Sequence, residues 1–331
     1  MFAVVLVGGF GTRLRPLTSD VPKPMLPVLG RPMIVHLVER LAGAGVSDVV
    51  LALGFKPEPF RIAFPDDRHG DVRLHYAVEP EPLDTGGAIG FAARAAGVHG
   101  TFLVANGDII SDLDFGALIA AHRDFGGDAT LHLTAVDDPS AFGVVETDTN
   151  GAVRRFVEKP TPGETDSNLI NAGTYVMESS VLDRIPRLQR VSVERSVFPA
   201  LVEAGRLFGM PSDDYWLDAG NPEQYLRANL DLVRGMRGDR IDGIHPDALV
   251  DPDAVVIDSV IGARARVAAG ARITDSVLLA DAAVGVGAVV DRSIVAGDIG
   301  SSAVVSAAVI GAGYTVAAGA DVTGQRLPEP T

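Results

Sequence analysis

A chain of 331 residues is long enough for about two domains. With 47% hydrophobic and 21% charged residues, it has ample apolar surface for a folded core. A formal net charge of −15 argues against a nucleic-acid-binding surface, which needs clustered Lys and Arg; the absence of cysteine removes disulfides, Cys-ligated zinc, iron–sulfur clusters and thiol catalysis.

Residues 3–7 are a short apolar run that predicts a fully buried parallel strand. Residues 1–7 lack the basic n-region of a signal peptide, and no apolar run approaches the ~20 residues that span a bilayer. A soluble cytoplasmic protein with no membrane partner is therefore expected. After a loop, Pro32 stands at a first helical position, with Ile34, Leu37, Val38 and Leu41 on one face. Residues 49–53, 72–78 and 101–105 read as further buried strands. Between the last two, residues 87–96 are small and Ala-rich, which predicts a helix packed closely on a sheet. Residues 113–123 read as a helix, and 130–136 and 152–157 as later strands of a mixed sheet. Asn221 caps a last helix whose apolar stripe holds Leu226, Leu230 and Val233. Strands alternating with helices predict an α/β domain over residues 1–235 with a Rossmann-like, mostly parallel sheet.

Composition shifts near Gly235. After a linker at 236–245, residues 246–331 contain no Lys, His, Trp or Phe. Asp258-Ser259-Val260-Ile261 recurs as Asp275-Ser276-Val277-Leu278, 17 residues on, then as Asp291-Arg292-Ser293-Ile294 and Ala307-Ala308-Val309-Ile310 at steps of 16. Aliphatic residues recur at six-residue steps: Ile261, Val267, Ile273, Leu279; Val284, Val290; Ile299, Val305; Ile310, Val316, Val322. Hexapeptide periodicity of this kind predicts a left-handed parallel β-helix, in which short strands form triangular coils around an aliphatic axis.

Two segments carry candidate chemistry. Gly8-Gly9-Phe10-Gly11-Thr12-Arg13 follows the first strand directly. It reads either as a plain tight turn or as a loop whose N–H groups approach a phosphate chain, with Arg13 as a charged fork. No Gly-Lys-Ser/Thr follows, so it is not a Walker A loop, and Leu14 breaks the dinucleotide Gly-x-Gly-x-x-Gly pattern. Lys23 is held between Pro22 and Pro24, a stiff mount for an ammonium group.

Together Gly-Gly-Phe-Gly-Thr-Arg-Leu and Pro-Lys-Pro resemble the signature of the sugar-1-phosphate nucleotidylyltransferases. The resemblance continues along the chain through Glu81-Pro82-Leu83-Asp84-Thr85-Gly86-Gly87, Asn106-Gly107-Asp108, Phe142-Gly143-Val144-Val145, Glu158-Lys159-Pro160, Asn171-Ala172-Gly173 and Trp216-Leu217-Asp218. Phe142-Gly143-Val144-Val145 and Ser192-Val193-Glu194-Arg195, with the overall length, point to members that join GTP to mannose-1-phosphate and carry a C-terminal β-helix.

The resemblance implies that Leu6, Gly8, Gly9, Gly11, Thr12, Arg13, Lys23, Glu81, Leu83, Gly86, Gly87 and Asp108 bind the nucleotide. It implies that Gly143, Glu158, Lys159 and Asn171 bind the sugar phosphate, and that Asp108 and Asp218 hold Mg²⁺ as hard oxygen ligands. Arg13, Lys23, Asp108 and Asp218 are then the catalytic set. A phosphate oxygen is already anionic at neutral pH, so no general base is needed, in keeping with the absence of His from these segments. Asp84 stands where the family usually has Gly. Its carboxylate is either a new acceptor for guanine N1–H and N2–H₂ or a solvent-facing turn residue, which leaves dTTP or UTP with glucose-1-phosphate as the alternative substrates. A catalytically silent regulatory paralogue is the other alternative; it would be expected to lose a phosphate or metal contact, yet Arg13, Lys23, Asp108, Lys159 and Asp218 are all present. Acyl transfer by the β-helix is disfavoured, because no His follows His245. Flat β-helix faces favour a homo-oligomer. Trp216 is expected to pack and orient Asp218, and His36, His122 and His132 to be structural or solvated.

Overall fold

The structure is a computed structural model and describes residues 1–9, 11–54 and 57–330. It divides into two compact units, Met1–Gly9 with Ile34–Trp216 and Phe10–Met33 with Leu217–Thr331.

In chain order the first unit contains β1 (Phe2–Leu6), α1 (Met33–Gly43), β2 (Asp48–Leu53), α2 (Glu58–Ala63), β3 (Val72–Val78), α3 (Asp84–Ala95) and β4 (Thr101–Asn106). These are followed by α4 (Phe115–Phe125), β5 (Ala129–Ala135), β6 (Gly143–Thr147), β7 (Val153–Glu158), β8 (Leu169–Glu178), α5 (Phe198–Glu203) and β9 (Leu207–Pro211). One mixed sheet runs β7-β6-β8-β4-β1-β2-β3, edged by Arg68–His69, with β5 on β8 and β9 on β5. β1 pairs in parallel with β2 and β4, and β2 with β3; β8 is antiparallel to β4, and β6 to β7. The apolar runs of β1 and β2 are buried on both faces, with Ala3, Val4, Val5 and Val49 to Leu53 at 0–1% exposure. That continuous run is what a central parallel strand requires. β3 is only partly buried, at Val72, Leu74 and Ala77, and lies next to the edge.

The expected α/β class and the expected strands agree with the structure; β6, β8, β9, α2 and α5 are not among the expected elements, and the other differences lie at helix ends. α1 begins at Met33, because Pro32 pairs with Pro27 in a short hairpin. α4 begins at Phe115, because the Asp114 carboxylate caps it by accepting from the Ala117 N–H at 3.0 Å. α3 starts at Asp84 and turns two faces inward. Ile89, Ala92 and Ala93 join the core of the sheet. Gly87 and Gly90 meet the chain at 185–189, where added Cβ atoms would stand 2.5 Å from the Gln189 carbonyl oxygen and 2.8 Å from the Ile185 side chain.

The second unit contains α6 (Pro222–Val233), capped by Asn221, whose side chain accepts from the Gln224 N–H at 2.9 Å. Leu226, expected on its apolar stripe, is only half-buried; Tyr225, Ala228 and Asn229 are fully buried. Asn229 tolerates burial because its amide donates to the Tyr225 carbonyl at 3.0 Å and accepts from the Leu29 N–H at 3.0 Å. The Tyr225 hydroxyl donates to the Pro27 carbonyl, so α6 grips the loop at 10–33 twice.

From Leu249 onward the chain forms three five-stranded parallel sheets of two- and three-residue strands, the coils of a parallel β-helix. Ile261, Val267, Ile273, Val284, Val290, Ile299, Val305, Ile310, Val316 and Val322 fill its axis as expected. Leu279 does not; Leu278 takes that place at 0% exposure, because the corner at Asp275-Ser276 is one residue shorter than a hexapeptide step. The coil lengths also differ from the repeat spacing read in the sequence. Ser259 meets Ser276 and Ser276 meets Ser293 at 17-residue offsets, and Ser293 meets Ala308 at 15. These serines form an internal ladder. Each Oγ donates to the carbonyl two residues back and accepts the N–H of the next coil. Among the described residues no helix is long and apolar enough to cross a membrane.

Candidate active site

In the first unit the sheet places the glycine-rich turn and Asp108 together. β1 lies between β2 and β4 with Leu6 paired to Asn106, so residues 7–9 and 107–108 leave the carboxyl edge side by side. The Gly107 N–H donates to the Leu6 carbonyl at 2.9 Å, and a Cβ there would lie 2.6 Å from Val7 Cγ1. In open α/β sheets the crevice at such a switch point is where ligands bind. Gly8 faces Gly54 of the neighbouring turn, with room for a Cβ only 3.1 Å from the Gly54 nitrogen. Phe10 lies outside the described residues.

The turn after β3 is built around Glu79. This carboxylate is buried and accepts the Leu83 N–H at 2.8 Å; burial pushes its pKa up, and the Leu83 bond pulls it down. Leu83 is fully buried, whereas Glu81 is exposed. The chain at 189–194 then closes over the turn. Val191 N–H donates to the Leu83 carbonyl and Gly87 N–H to the Val191 carbonyl, both at 3.0 Å. A Cβ on Gly86 would sit 2.9 Å from the Val191 carbonyl oxygen, so this approach needs glycine. The Thr85 hydroxyl donates to Glu194 at 2.6 Å and accepts from the Val193 N–H at 3.0 Å. Asp84 is exposed at φ +61°, a left-handed geometry that Gly adopts freely and Asp tolerates. Its carboxylate accepts the Thr85 N–H at 2.8 Å. The solvent-facing turn reading of Asp84 therefore describes its geometry.

The hairpin of β6 and β7 sets Gly143 opposite Glu158. A Cβ on Gly143 would lie 2.5 Å from the Phe156 ring and 3.0 Å from Glu158 Oε2, so the missing side chain leaves this carboxylate uncovered. Burial raises the Glu158 pKa first, followed by the Glu194 carboxylate; Lys159 and Arg195 lower it, and Asp84 adds a smaller upward push. Lys159 holds φ +54° while its N–H donates to the Phe142 carbonyl at 2.9 Å. A non-glycine residue pinned in this region marks a place where surrounding structure overrides local preference.

Asn171 opens a bulge in β8, where the pairing with β5 shifts between Asn171 and Tyr175. Its Oδ1 accepts the Gly173 N–H at 3.1 Å and its Nδ2 donates to the Tyr175 hydroxyl at 3.0 Å. Trp216 Nε1 donates to the Ala172 carbonyl of the same bulge at 2.9 Å, and its ring meets Phe142 edge-on at 5.7 Å. Trp216 is thus a packing residue, as expected. His122 is buried between Thr130 at 2.9 Å and Glu178 at 3.2 Å, also a structural placement.

The second unit gathers Arg13, Lys23 and Asp218. Gly11 takes φ +61°, and the Thr18 hydroxyl donates to its carbonyl at 2.7 Å, closing the loop that Thr12 and Arg13 continue as a single helical turn. Lys23 is buried and reaches Asp218 at 3.5 Å. Gly220 lies beneath both arms of this cluster. A Cβ there would stand 2.8 Å from Arg13 Nη2 and 2.9 Å from Asp218 Oδ1. Two cations and one carboxylate thus lie around Gly220 in this unit.

For a divalent metal the candidate ligands are the carboxylates of Asp108, in the turn after β4, and Asp218. Among the described residues no group of three or more His, Cys, Asp or Glu is placed to hold a metal ion. Each of the two carboxylates is a hard oxygen donor of the kind Mg²⁺ takes, an ion that commonly uses one or two protein carboxylates and completes its shell with phosphate oxygens and water.

This combination of fold and motifs has close counterparts. Residues 2–235 match the family described as Nucleotidyl transferase, and residues 242–328 match the GMPPB C-terminal domain. The chain belongs to the nucleotidyl transferase family. Within it, the chain is 42% identical over 304 residues to the mannose-1-phosphate guanylyltransferase of Mycobacterium tuberculosis, covering 88% of this chain and 83% of that one. It is 40% identical over 268 residues to the mannose-1-phosphate guanyltransferase of Schizosaccharomyces pombe, covering 77% and 73%. The crystal structure of HddC from Yersinia pseudotuberculosis complexed with GMP-PN aligns with a TM-score of 0.57 at 30% identity, covering 69% of this chain and 97% of that one.

Two features of this neighbourhood escape sequence reading: the buried Glu79, and the bond between Thr85 and Glu194, which the sequence presents only as motif residues. Glu79 carries a faint signal, since it ends an apolar strand where a charge is either exposed or bonded. Thr85 and Glu194 lie 109 positions apart, and nothing local links them.

Proposed function

We propose that this chain joins mannose-1-phosphate to GTP, giving GDP-mannose and pyrophosphate. The observation that carries this reading is the match to relatives of that activity across both the α/β and the β-helix regions. In the reaction an oxygen of the sugar phosphate attacks the α-phosphorus, a new P–O bond forms, and the bond to the pyrophosphate oxygen breaks. The obstacles are repulsion between polyanions, alignment, and charge on the departing group.

Arg13 grips the β- and γ-phosphates, and Lys23 lies near the α-phosphate and leaving group, each neutralising charge where it accumulates. The backbone of Gly8, Gly9, Gly11 and Thr12 approaches the phosphates, while Leu6, Glu81, Leu83, Gly86 and Gly87 frame the base. Lys159 holds the attacking phosphate; Glu158, Asn171 and the Gly143 backbone meet the sugar hydroxyls. Asp108 and Asp218 would hold Mg²⁺, which supplies Lewis-acid neutralisation of the phosphate oxygens.

In this reading the nucleotidyltransferase domain spans residues 1–235 and the β-helix residues 246–331, joined by a linker. The reaction belongs in the cytoplasm, where nucleoside triphosphates are plentiful. Exposed Leu249, Val255, Ile257 and Val304 on the β-helix strands support self-association through that domain.

The test is pyrophosphate release with Mg²⁺ across five nucleoside triphosphates against mannose-, glucose- and N-acetylglucosamine-1-phosphate. Fastest turnover with GTP and mannose-1-phosphate is expected. A preference for dTTP or UTP with glucose-1-phosphate would overturn the substrate assignment. Lys23→Ala and Asp218→Asn are each expected to lower kcat about 10²-fold or more, the scale for removing one charge-stabilising group.

A further inference from the structure

The β-helix ends on the loop that carries Arg13 and Lys23, and the contact is made by its last coil. Four glycines, Gly262, Gly285, Gly300 and Gly311, occupy coil corners. At the first three, a Cβ would run into the backbone of the following coil, at 2.7 Å from the Ala280 nitrogen, 2.6 Å from Ser301 and 2.5 Å from Ala318. At Gly311 the nearest atoms belong instead to Pro16, with Cβ at 2.9 Å and Cγ at 3.0 Å. The loop therefore takes the place of the next coil. Beside it, Arg326 in the terminal strand Arg326–Leu327 donates through Nη1 to the Arg13 carbonyl at 2.9 Å.

The sheet facing this side is built for cover. Val260, Val277, Ile294 and Val309 alternate with the axis residues Ile261, Leu278, Val295 and Ile310, so they point away from the axis, yet they are only 1–6% exposed. The far end of the same sheet adjoins α6, where Arg234 pairs with Asp275 at 2.5 Å and Asp258 at 3.8 Å. α6 in turn holds the loop through Pro27 and Leu29. The loop is thus gripped twice, by the helix near Lys23 and by the terminal coil near Arg13.

We infer that the terminal coil of the β-helix positions the phosphate-gripping loop, with Arg326 and Gly311 as positioning residues for Arg13 and hence for the nucleoside triphosphate. Neither residue touches substrate; Arg326 acts through the Arg13 backbone and Gly311 through Pro16. The inference rests on the nucleotidyltransferase reading and extends it to a region whose sequence carries no catalytic group.

Steady-state kinetics of Arg326→Ala and Gly311→Ala in the full chain test it. Loss of one hydrogen bond to the loop, or a shove on Pro16, is expected to raise the KM for the nucleoside triphosphate about three- to tenfold. The KM for the sugar phosphate should stay within about twofold, and Arg326→Lys, which keeps one donor, should recover part of the loss. Hydrogen exchange of the loop peptide at 11–27 is the second readout. GTP-dependent protection seen in the wild type should weaken in both variants, while the strands of the first unit exchange as before. Folded variants with unchanged nucleotide KM and unchanged loop protection would overturn the inference. So would variants whose only defect is a smaller folded fraction, the folded protein keeping its KM and loop protection. No turnover by the wild type would instead defeat the functional reading beneath it.

Discussion

Asp84 shows how one residue's meaning depends on its backbone. At φ +61° its carboxylate is turned onto the Thr85 N–H, leaving one face to solvent. Replacing it with Gly relaxes the left-handed backbone and removes only that local bond. Asp84→Gly is therefore expected to keep the ratio of kcat/KM for GTP over dTTP within about threefold, the equivalent of under 1 kcal/mol. A larger change would make the carboxylate a reader of the base. His132 carries a different prediction. It is fully buried, with Nε2 against the Ser212 hydroxyl at 2.9 Å, and burial pushes its pKa down to about 4 despite the Asp214 charge. Unfolded, it titrates near 6.5, so between these values the unfolded chain binds the extra proton. Its contribution to stability is complete above pH 6.5 and is lost as pH falls toward 4, on the order of 3 kcal/mol in all. Thermal melts from pH 7 to 4.5 should show this acid loss, and His132→Asn should flatten it. Local sequence placed His132 in a strand and Asp84 in a turn; neither its burial nor its bond partner could be read there, because Ser212 and the fold around it come from 80 residues away.

At the level of elements, periodic patterns were legible and close approaches were not. The apolar runs of β1, β2 and β4 and the hexapeptide aliphatics announce themselves by local spacing, and they lie where the spacing puts them, Leu279 excepted. The serine ladder is a consequence of the coil register. Ser276 is fully buried, and replacing it with Ala leaves the Ser293 N–H without its acceptor. A loss of about 1–3 kcal/mol is expected, the range for an orphaned buried donor, read as a lower urea midpoint for the β-helix and faster exchange at Ser293. α3 holds the second prediction. Gly87→Ala would drive a Cβ to 2.5 Å from the Gln189 carbonyl oxygen, which is backbone and has nowhere to yield. The turn at 83–87 should separate from the chain at 189–194, with nucleotide KM rising about tenfold or more and the melting temperature falling. An unchanged KM would mean that this closure does not hold the turn at 83–87 in place for the nucleotide, as the proposed function requires.

The largest departure from chain order concerns the loop at 10–33. It follows β1 directly, yet it packs as one compact unit with α6 and the β-helix. A chain cut after residue 245 would strip the terminal coil from Pro16 and Arg13. It is expected to lose measurable GTP binding by calorimetry and to be cleaved by trypsin within residues 10–33. A truncated chain that binds GTP as tightly as the full protein would refute this. The sequence by itself determined the α/β region, the β-helix and the order of the motifs, because each rests on short-range periodicity or on a contiguous motif. Tertiary structure alone decided that Glu79 and not Glu81 is the buried carboxylate of its turn, that Glu194 reaches Thr85, and that Pro16 stands in for a missing coil. These are contacts between segments up to about 300 residues apart, settled by which surfaces exclude water together, and no local pattern encodes them.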